Sequence, residues 1–513
     1  MVGLARQAID YDLLVIGGGI NGVGIAYDAS GRGLKVCLCE MGDLAGATSS
    51  CSSKLIHGGL RYLEQYEFRL VREALAERET LLKMAPHISW PLSFHLPHQS
   101  ELRPAWMVQL GLFLYDHLSR RNTLPGSRRI SPNANSPLQD TFETVFEYSD
   151  VWVDDARLVL LNAQGVRERG GVIYTRTKVV SGFRSNNVWH ITLEDLLTGK
   201  ITEVTSKSLV NAAGPWVADV LTGLSVTSEK RVRLVKGSHI VVPAVYQGAQ
   251  AYILQNKDKR IVFVIPFLEN YSLIGTTEVE YSGNPLLAAC SEHEREYLCQ
   301  IVNDHFKSTT SVKDIIWEYS GVRPLFEDDS SDARTVTRDY SFELNDDNGM
   351  TPLLSIFGGK LTTYRKLAEH AMNRLAIYFP KATGEWTKES LLPGAVKTEK
   401  YLVNVKESFP WLPEQIATRY VYSYGALVHE LLDGVTCIGD LGIDFGAGLF
   451  QCEVDYLINK EWVMEVDDLL WRRSKLGLSL SPQESDVLAD YIRSNVQRAL
   501  STGMLNRINQ AHV

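Results

Sequence analysis

The chain has 513 residues, 45% hydrophobic and 22% charged, which is an ordinary composition for a globular protein and enough length for two or three domains. The formal net charge of −9 argues against a nucleic-acid binder and requires a local cluster of Arg and Lys for any anionic substrate. No apolar run reaches the roughly 20 residues that span a bilayer, and residues 1–12 lack the apolar core of a signal peptide.

A glycine-rich turn near the start of the chain indicates a dinucleotide site. Leu13 to Ile16 predict a buried parallel strand, and Gly17, Gly19 and Gly22 follow with the spacing G-x-G-x-x-G where a helix begins. Gly17 permits a tight turn, Gly19 leaves room for a pyrophosphate, and Gly22 lets the helix lie close to the strand. The first N–H groups of the helix and the positive end of its dipole then face the phosphates.

An acidic residue closes this unit. The second predicted strand, Leu34 to Cys39, ends on Glu40, where a carboxylate can accept hydrogen bonds from a ribose. Such a unit serves NAD and FAD equally, and the alternative is a glycine turn with no cofactor. A Ser/Thr-rich loop with Lys54 follows, suited to a second phosphate and a ribityl chain, and later glycine turns lie at Gly214 and Gly359. The Ser/Thr-rich loop, Lys54 and the two later glycine turns favour FAD over NAD.

The stretch from Leu102 to Leu118 comes nearest to a membrane segment. It contains Trp106 and Phe113 and is interrupted by Gln109 and Asp116. A basic border follows it, made of Arg120, Arg121, Arg128 and Arg129. Two interpretations stay open, a helix in a membrane interface and an ordinary core helix.

The remaining elements continue the alternation of strands and glycine turns. Residues 211–216 form a second strand-to-helix turn, and residues 354–363 form a third that opens another helix. Residues 231–325 contain short β-like runs, which predict a separate antiparallel sheet. Beyond about residue 385 the pattern is helical. Further strands are predicted at 171–175, 188–193 and 208–210.

Long blocks of the sequence resemble the FAD-dependent, aerobic glycerol-3-phosphate dehydrogenases. The resemblance covers nearly the whole chain. Its blocks are Gly17 to Glu40, Ser52 to Leu63, Asn211 to Trp216, Lys236 to His239, Tyr319 to Leu325, Phe357 to Arg365 and Asp467 to Arg473.

The resemblance implies a reaction, a cofactor and a location. In that family FAD accepts a hydride from glycerol 3-phosphate, which gives dihydroxyacetone phosphate in glycerol catabolism, and the electrons pass to a membrane quinone. It therefore implies a cytoplasmic protein associated peripherally with the inner face of the cytoplasmic membrane, with a homodimer left open. No partner nucleic acid is expected.

We expect a mixed α/β and α+β fold in three parts. A Rossmann-like, discontinuous FAD-binding domain comprises residues 1–85, 150–220 and 325–380. A β-rich substrate domain that also faces the membrane comprises 86–149 and 221–324, and an all-helical C-terminal domain comprises 385–513.

The substrate is a phosphate monoester of charge near −2, so it needs converging cations. Arg61, Arg323 and Lys360 lie in three distant blocks beside glycine or proline turns, and the arginine fork suits a phosphate. Tyr62 and Thr362 are hydroxyl partners for phosphate or glycerol oxygens. The alternative is that these cations are ordinary surface groups and that Tyr62 is packing.

Oxidation at C2 also needs a group that removes the hydroxyl proton. His57 and His239 are available, and His57 lies between the flavin loop and Arg61. Arg323 is so basic that it is better suited to stabilise a developing alkoxide. The residue that takes the proton stays undecided.

The predicted cofactor site is larger than the glycine turn. No H-E-x-x-H or EF-hand pattern occurs, so no metal is expected. The residues expected to contact FAD are Gly17, Gly19, Ile20, Asn21, Gly22, Glu40, Thr48, Ser49, Ser53, Lys54, Val179, Ala213, Gly214, Gly359, Leu361 and Thr362.

Three rival functions use the same fold. One is an amine or amino-acid oxidase that reduces oxygen and needs a carboxylate pocket with fewer cations. The second is an oxygen-reducing glycerol-3-phosphate oxidase. The third is a non-catalytic, flavin-binding sensor.

Overall fold

The structure is a computed structural model that describes residues 9–99, 101, 103–256, 258, 260–326 and 340–501. For Arg61, Glu64 and Gln65 it describes the backbone alone. The strands are β1 (Tyr11–Ile16), β2 (Val36–Cys39), β3 (Leu55–Ile56), β4 (Ser89–Pro97), β5 (Arg128–Ile130), β6 (Val145–Val153), β7 (Val172–Tyr174), β8 (Thr177–Ser185), β9 (Val188–Asp195), β10 (Ile201–Asn211), β11 (Val232–Pro243), β12 (Ala251–Gln255), β13 (Ile261–Phe267), β14 (Tyr271–Gly275), β15 (Val279–Glu280), β16 (Trp317–Phe326), β17 (Tyr340–Asp347) and β18 (Met350–Gly358). The helices are α1 (Ile20–Gly31), α2 (Phe68–Met84), α3 (Ala105–His117), α4 (Asp155–Glu168), α5 (Val217–Gly223), α6 (Glu292–His305), α7 (Tyr364–Leu375), α8 (Thr398–Ser408), α9 (Glu414–Tyr424), α10 (Val428–Leu431), α11 (Gln451–Lys460) and α12 (Pro482–Ser501).

The first sheet is built around β1, with the strand order β17-β18-β10-β1-β2-β7. The pairs from β18 to β7 are parallel, while β17 runs antiparallel at one edge and β8 and β9 extend from β10. Leu13 and Val15 face the core that α1, α4 and α7 cover, and Leu14 and Ile16 face a second core on the opposite side. Burial on both faces explains why β1 is continuously apolar.

The second sheet has the order β15-β11-β14-β13-β12-β4-β6-β3, with β16 paired to β11 and β5 to β6. Its pairs are antiparallel except β12 with β4. One face packs against α6, where Leu298 and Val302 meet Ile240, and the other packs against α2 and α3. The β-rich region 231–325 is thus a sheet that α6 interrupts.

Strands β3, β4 and β6 join the second sheet although the sequence pattern did not identify them as strands. Leu55 of β3 pairs with Trp152 of β6, so the loop after Glu40 crosses from one sheet to the other. Residues 40–54 therefore link the edge of the first sheet to the second sheet. The division into domains by residue number stays a prediction.

The C-terminal region is helical, as predicted. Helices α8 to α12 share one apolar core that includes Val405, Tyr420, Leu457 and Leu488. A six-residue π-helical segment, Asp468–Arg473, lies between α11 and α12.

Helix α3 occupies most of the apolar stretch whose location the sequence left open. Leu112 and Tyr115 are buried, but four large apolar side chains point outward. They are Trp106 (64% exposed), Met107 (44%), Leu110 (50%) and Phe113 (55%). Helix α3 is therefore not an ordinary core helix. Within the described residues no helix is both long and apolar enough to cross a membrane.

Candidate active site

Three neighbouring parallel strands end in glycine turns at one edge of the first sheet. Strands β18, β10 and β1 are adjacent, and they end next to Gly359, Gly214 and Gly17 respectively. Their turns are linked directly, since the Ala212 N–H donates to the Ile16 carbonyl at 2.9 Å. In a parallel sheet this carboxyl edge is where dinucleotides bind.

The first of these turns has no room for side chains. A Cβ on Gly17 would lie 2.5 Å from the Ala212 carbonyl oxygen, and one on Gly22 would lie 1.9 Å from the Gly17 carbonyl oxygen. Gly17 also has φ +110°, a conformation that favours glycine. The backbone of β1 and α1 is therefore bare where a pyrophosphate would lie, as the spacing predicts. Gly22 itself packs beneath the turn and is not among the residues that line the cavity.

Glu40 stands at the end of β2 with its carboxylate held by backbone donors. Oε2 accepts from the Gly18 N–H at 2.6 Å and Oε1 from the Gly42 N–H at 2.7 Å. Burial raises the pKa of Glu40, and the two backbone hydrogen bonds oppose that rise. Each carboxylate oxygen retains a lone pair that a ribose hydroxyl can use.

A cavity of about 970 Å³ runs between the two sheets and reaches both Glu40 and Arg323. This is the upper end of the volume range of small-molecule sites, and it suits an extended ligand. The structure brings most of the predicted residues to its wall. They are Gly17, Gly19, Ile20, Asn21, Glu40, Thr48, Ser49, Ser53, His57, Tyr62, Val179, Ala213, Gly214, His239, Arg323, Gly359, Lys360, Leu361 and Thr362.

The middle of the cavity presents polar atoms suited to a dinucleotide. Asn21 Nδ2 donates to the Gly358 carbonyl at 3.2 Å, but its buried Oδ1 has no hydrogen-bond partner among the described residues. Ser49 Oγ accepts from the Ile20 N–H at 3.0 Å and so caps α1. An unpartnered buried amide oxygen beside bare glycine backbone fits a bound FAD, which can donate a hydrogen bond there.

Lys54 does not have the position in the FAD site that was predicted for it. It is fully buried and does not line the cavity, because its Nζ donates to Asp155 Oδ1 at 2.7 Å and to the Ser50 carbonyl at 3.1 Å. Asp155 also accepts from the Ser52 hydroxyl at 2.7 Å. Lys54 therefore supports the loop from below and does not point at a phosphate.

Arg61 cannot be placed in the same way. Its backbone belongs to a short 3-10 helix, Leu60–Gln65, but its side chain lies outside the part of the protein that is described.

At the opposite end from Glu40, four residues form a row across the second sheet. Phe263, Gly275, His239 and Tyr319 are register partners on β13, β14, β11 and β16. A Cβ on Gly275 would lie 2.2 Å from the imidazole of His239, so glycine is what leaves room for that ring. The ring stacks on Tyr319 with centroids 4.9 Å apart.

His239 is a buried, neutral histidine. Its Nε2 lies 2.8 Å from the Ser53 hydroxyl, and its Nδ1 has no hydrogen-bond partner within the described residues. Burial lowers the pKa of His239 well below the usual histidine value, and nearby Arg323 and Lys54 lower it further. The imidazole is therefore uncharged at neutral pH.

Arg323 projects from β16 beside this row. Its Nη2 donates to Thr276 Oγ1 at 2.9 Å, and its Nη1 lies 3.4 Å from Glu278. Gly237 on β11 leaves space for the guanidinium, since a Cβ there would lie 2.5 Å from Nη2. Partial burial lowers the pKa of Arg323, yet a guanidinium stays charged in proteins.

The third glycine turn brings two more predicted groups to this end. Lys360 Nζ lies 3.9 Å above the ring of Tyr62, a cation–π contact. The Thr362 hydroxyl lies 3.3 Å from the backbone nitrogen of His57, and the His57 ring faces Phe263 at 6.1 Å between centroids. Two cations and two histidines thus border one end of the cavity.

Several residues of the cavity wall were not predicted from the sequence pattern. Phe263, Thr276, Arg176 and Arg472 line the cavity, and Tyr319 supports it by donating from its hydroxyl to the Ser52 carbonyl at 2.8 Å. Tyr319 and Arg472 lay in blocks that had been singled out, Tyr319 to Leu325 and Asp467 to Arg473. The others carry no local signal, because strand pairing and domain packing bring them there. Among the described residues no group of three or more His, Cys, Asp or Glu is arranged to hold a metal ion.

Comparisons with known proteins agree with this geometry. Residues 12–365 match the sequence model of the family described as FAD dependent oxidoreductase. The chain is 53% identical over 494 residues to the aerobic glycerol-3-phosphate dehydrogenase of Escherichia coli strain K12, covering 96% of this chain and 99% of that one. It is also 53% identical over 488 residues to the glycerol-3-phosphate dehydrogenase of Pseudomonas aeruginosa, covering 94% and 95%.

A solved structure has a similar fold over almost its whole length. The glycerol-3-phosphate dehydrogenase from Bacillus halodurans, solved in complex with FAD, superimposes with a TM-score of 0.72 at 25% identity. The match covers 95% of this chain and 94% of that one.

Proposed function

Because the chain belongs to the glycerol-3-phosphate dehydrogenase family of FAD-dependent oxidoreductases, we propose that it oxidises sn-glycerol 3-phosphate to dihydroxyacetone phosphate and passes the electrons to a respiratory quinone. One observation carries the proposal. A cavity with a dinucleotide-binding edge ends in a cluster of cations and histidines.

The cations determine the class of substrate. Lys360, in the turn after β18, and Arg323, on β16, border the same end of the cavity, where the protein's overall charge of −9 would otherwise repel an anion. They bind the phosphate dianion and orient the glycerol moiety, and we add Arg61 to this set on the family resemblance. The ring of Tyr62 makes a cation–π contact with Lys360, and Thr362 supplies a hydroxyl group.

The reaction at C2 needs a hydride acceptor and a proton acceptor. FAD supplies the two-electron acceptor when bound. Arg323 stabilises the negative charge that develops on the C2 oxygen. His57 and His239 are the candidates for proton acceptor. His239 is uncharged at neutral pH, but its depressed pKa makes it a weak base. We therefore assign the proton to His57, and we assign to His239 the role of positioning Ser53.

The outward face of α3 supports peripheral attachment to the cytoplasmic membrane. Trp106, Leu110 and Phe113 lie on one side of the helix, Arg120 is exposed three residues after its end, and Arg128 is exposed on β5. Aromatic and aliphatic side chains with a basic border are typical of a helix that lies in an interface rich in anionic lipid. Attachment at the inner face would bring the enzyme close to its quinone. A homodimer stays a prediction.

Anaerobic mixing tests the reaction directly. The purified holoenzyme should lose its oxidised flavin colour when sn-glycerol 3-phosphate is added and regain it with a soluble quinone. Flavin that bleaches with glycine or sarcosine but not with glycerol 3-phosphate would identify an amine oxidase instead. In a separate assay in air, peroxide formed in proportion to substrate, without quinone reduction, would identify an oxidase that uses oxygen as its electron acceptor. Flavin that stays oxidised with every substrate would indicate a sensor.

A further inference from the structure

Two residues of the C-terminal helical region reach the cofactor cavity. Glu465 and Arg472 line it beside Arg176 and the turn Met41–Asp43, which directly follows Glu40. The match to the FAD dependent oxidoreductase family ends at residue 365. This part of the wall is therefore supplied by a region outside the match to the FAD dependent oxidoreductase model, although the glycerol-3-phosphate dehydrogenases align with it.

The helical region contacts the turn Met41–Asp43 through the carboxylate of Asp43. Arg472 Nε lies 2.5 Å from Asp43 Oδ2, and Arg473 Nη2 lies 2.7 Å from Asp43 Oδ1. Both arginines belong to the π-helical segment, and Arg473 also donates from Nε to the Glu461 carbonyl at 3.0 Å. Asp43 is only 3% exposed, so water competes little for these bonds.

A second carboxylate completes the arrangement. Asp468 accepts from Arg472 at 2.5 Å and from Arg176 at 2.8 Å, and the backbone N–H groups of Met464 and Glu465 donate to it. Burial raises the pKa of Asp468, but the surrounding arginines outweigh it and the pKa is lowered, so the carboxylate stays ionised.

Three arginines and three carboxylates meet beside this part of the cavity wall. Arg176, Arg472 and Arg473 pair with the buried carboxylates of Asp43 and Asp468, and Arg176 also lies 3.4 Å from the exposed carboxylate of Glu465. Arg473 is wholly buried, whereas the side chains of Arg176 and Arg472 retain 10% and 18% exposure. The guanidinium groups of Arg176 and Arg472 are therefore held in fixed positions at the cavity wall, near Glu40, where the ribose of the adenosine half is expected.

We propose that the C-terminal helical region completes the FAD site, with Arg472 as a binding residue for the adenosine diphosphate half of the cofactor. Asp43 and Asp468 hold its guanidinium in place. The competing explanation is that Arg472 only joins the helical region to the rest of the protein. This proposal depends on the part of the proposed function that concerns FAD. It does not depend on the identity of the substrate.

The test compares two adjacent arginines that share Asp43. Arg472→Met should weaken FAD binding about tenfold or more, because it removes a charge-assisted contact, and should shrink the rise in Tm that FAD causes in the apoprotein. Arg473→Met loses the same carboxylate partner but does not line the cavity. It should lower the Tm of apoprotein and holoprotein by similar amounts.

A ligand comparison locates the contact. FMN lacks the adenosine part, so its affinity should be the same in Arg472→Met as in the unmodified protein, while the affinities for FAD and for ADP fall. If Arg472→Met does not fold, Arg472→Lys keeps the charge but loses the fork, and its FAD affinity should fall by a smaller factor. FAD affinity within twofold of normal in whichever of these variants folds, with an unchanged FAD-induced rise in Tm, would overturn the proposal. An unmodified protein that binds FAD but ignores glycerol 3-phosphate would contradict only the proposed function.

Discussion

The Nε2 atom of His239 lies 2.8 Å from the hydroxyl oxygen of Ser53, although the two residues are 186 positions apart in the chain. This contact joins the second sheet to the loop that leaves the dinucleotide turn. Burial, together with nearby Arg323 and Lys54, also lowers the pKa of His239, so its imidazole stays neutral to lower pH than that of an ordinary histidine.

The two histidines should differ in their effect on the pH profile. Burial keeps His239 neutral well below pH 6.5, so its titration cannot produce an acid limb near that pH. We expect the acid limb of kcat/KM to persist in His239→Gln and to disappear in His57→Gln, which should also lose roughly 100-fold or more in kcat. Steady-state rates between pH 5 and 9 check this. The reverse pattern would assign the proton to His239.

Arg323 should contribute to substrate binding and not to flavin binding. Losing a hydrogen bond to a charged group costs about 1.5–3 kcal/mol, so Arg323→Ala should lower kcat/KM for glycerol 3-phosphate by roughly 10- to 150-fold, through both a higher KM and a lower kcat, while FAD stays bound. The matched control is Arg295→Ala, whose guanidinium pairs with Glu318 and does not line the cavity. Lost flavin with normal KM would contradict the assignment.

Lys54 should act on stability and not on phosphate binding. Lys54→Met leaves Asp155 as an unpaired buried charge, which costs about 3–5 kcal/mol in the free energy of unfolding. The apoprotein should therefore unfold at clearly lower denaturant concentration. Lys207→Met breaks an exposed pair with Asp12 and should cost at most about 1 kcal/mol. An apoprotein of normal stability that binds FAD weakly would restore the phosphate-binding role.

His87 should make the fold sensitive to acid. Burial lowers its pKa to about 3, and neither ring nitrogen has a hydrogen-bond partner among the described residues. Below pH 6.5 the unfolded chain binds a proton that the folded protein does not. Stability therefore falls by roughly 1 kcal/mol per pH unit as the pH drops from 6.5 towards 3.

Substituting His87 removes this dependence. Between pH 6.5 and 5, denaturant unfolding of His87→Leu should show a shallower loss of stability, by the slope of one proton. His429 provides the control because it is exposed and not buried like His87. We expect His429→Leu to leave the dependence of stability on pH unchanged. Equal slopes in all three proteins would show that His87 is not the titrating group.

The outward face of α3 should control lipid binding. Burying each of these rings contributes about 1.5–3 kcal/mol, so Trp106→Ser together with Phe113→Ser should weaken binding to vesicles containing phosphatidylglycerol by at least about 100-fold. Ile377→Ser removes an equally exposed apolar side chain elsewhere and should have little effect. Sedimentation with the vesicles measures this. Unchanged binding would exclude α3 as the contact.

The first glycine turn and Glu40 could be predicted because the residues that determine them are close together in the sequence. The glycines, strand β1 and Glu40 lie within thirty residues, and each is required by the backbone geometry of its neighbours. Helix α6 could also have been predicted, because Ser291 and Glu294 form a capping box at its start. The prediction of a β-rich region over residues 231–325 did not include it.

The rest of the site depends on pairing between distant segments. Lys54 has the residue type of a phosphate ligand, and only the position of Asp155 turns its ammonium away from the cavity. Phe263 and Thr276 reach the wall through the register of β13 and β14, which a single sequence does not reveal. Arg472 arrives through packing between the helical region and Asp43.

The presence of Glu465 and Arg472 in the cavity wall affects the order in which the protein matures. A nascent chain that has emerged only as far as α10 possesses the whole glycine edge but leaves the ribose end open to water. With Arg472 as the proposed flavin contact, we expect flavin to be enclosed there only after translation has nearly finished. Cofactor loading would then be a late event in biosynthesis, and premature termination shortly before these positions would release a polypeptide with an unclosed site.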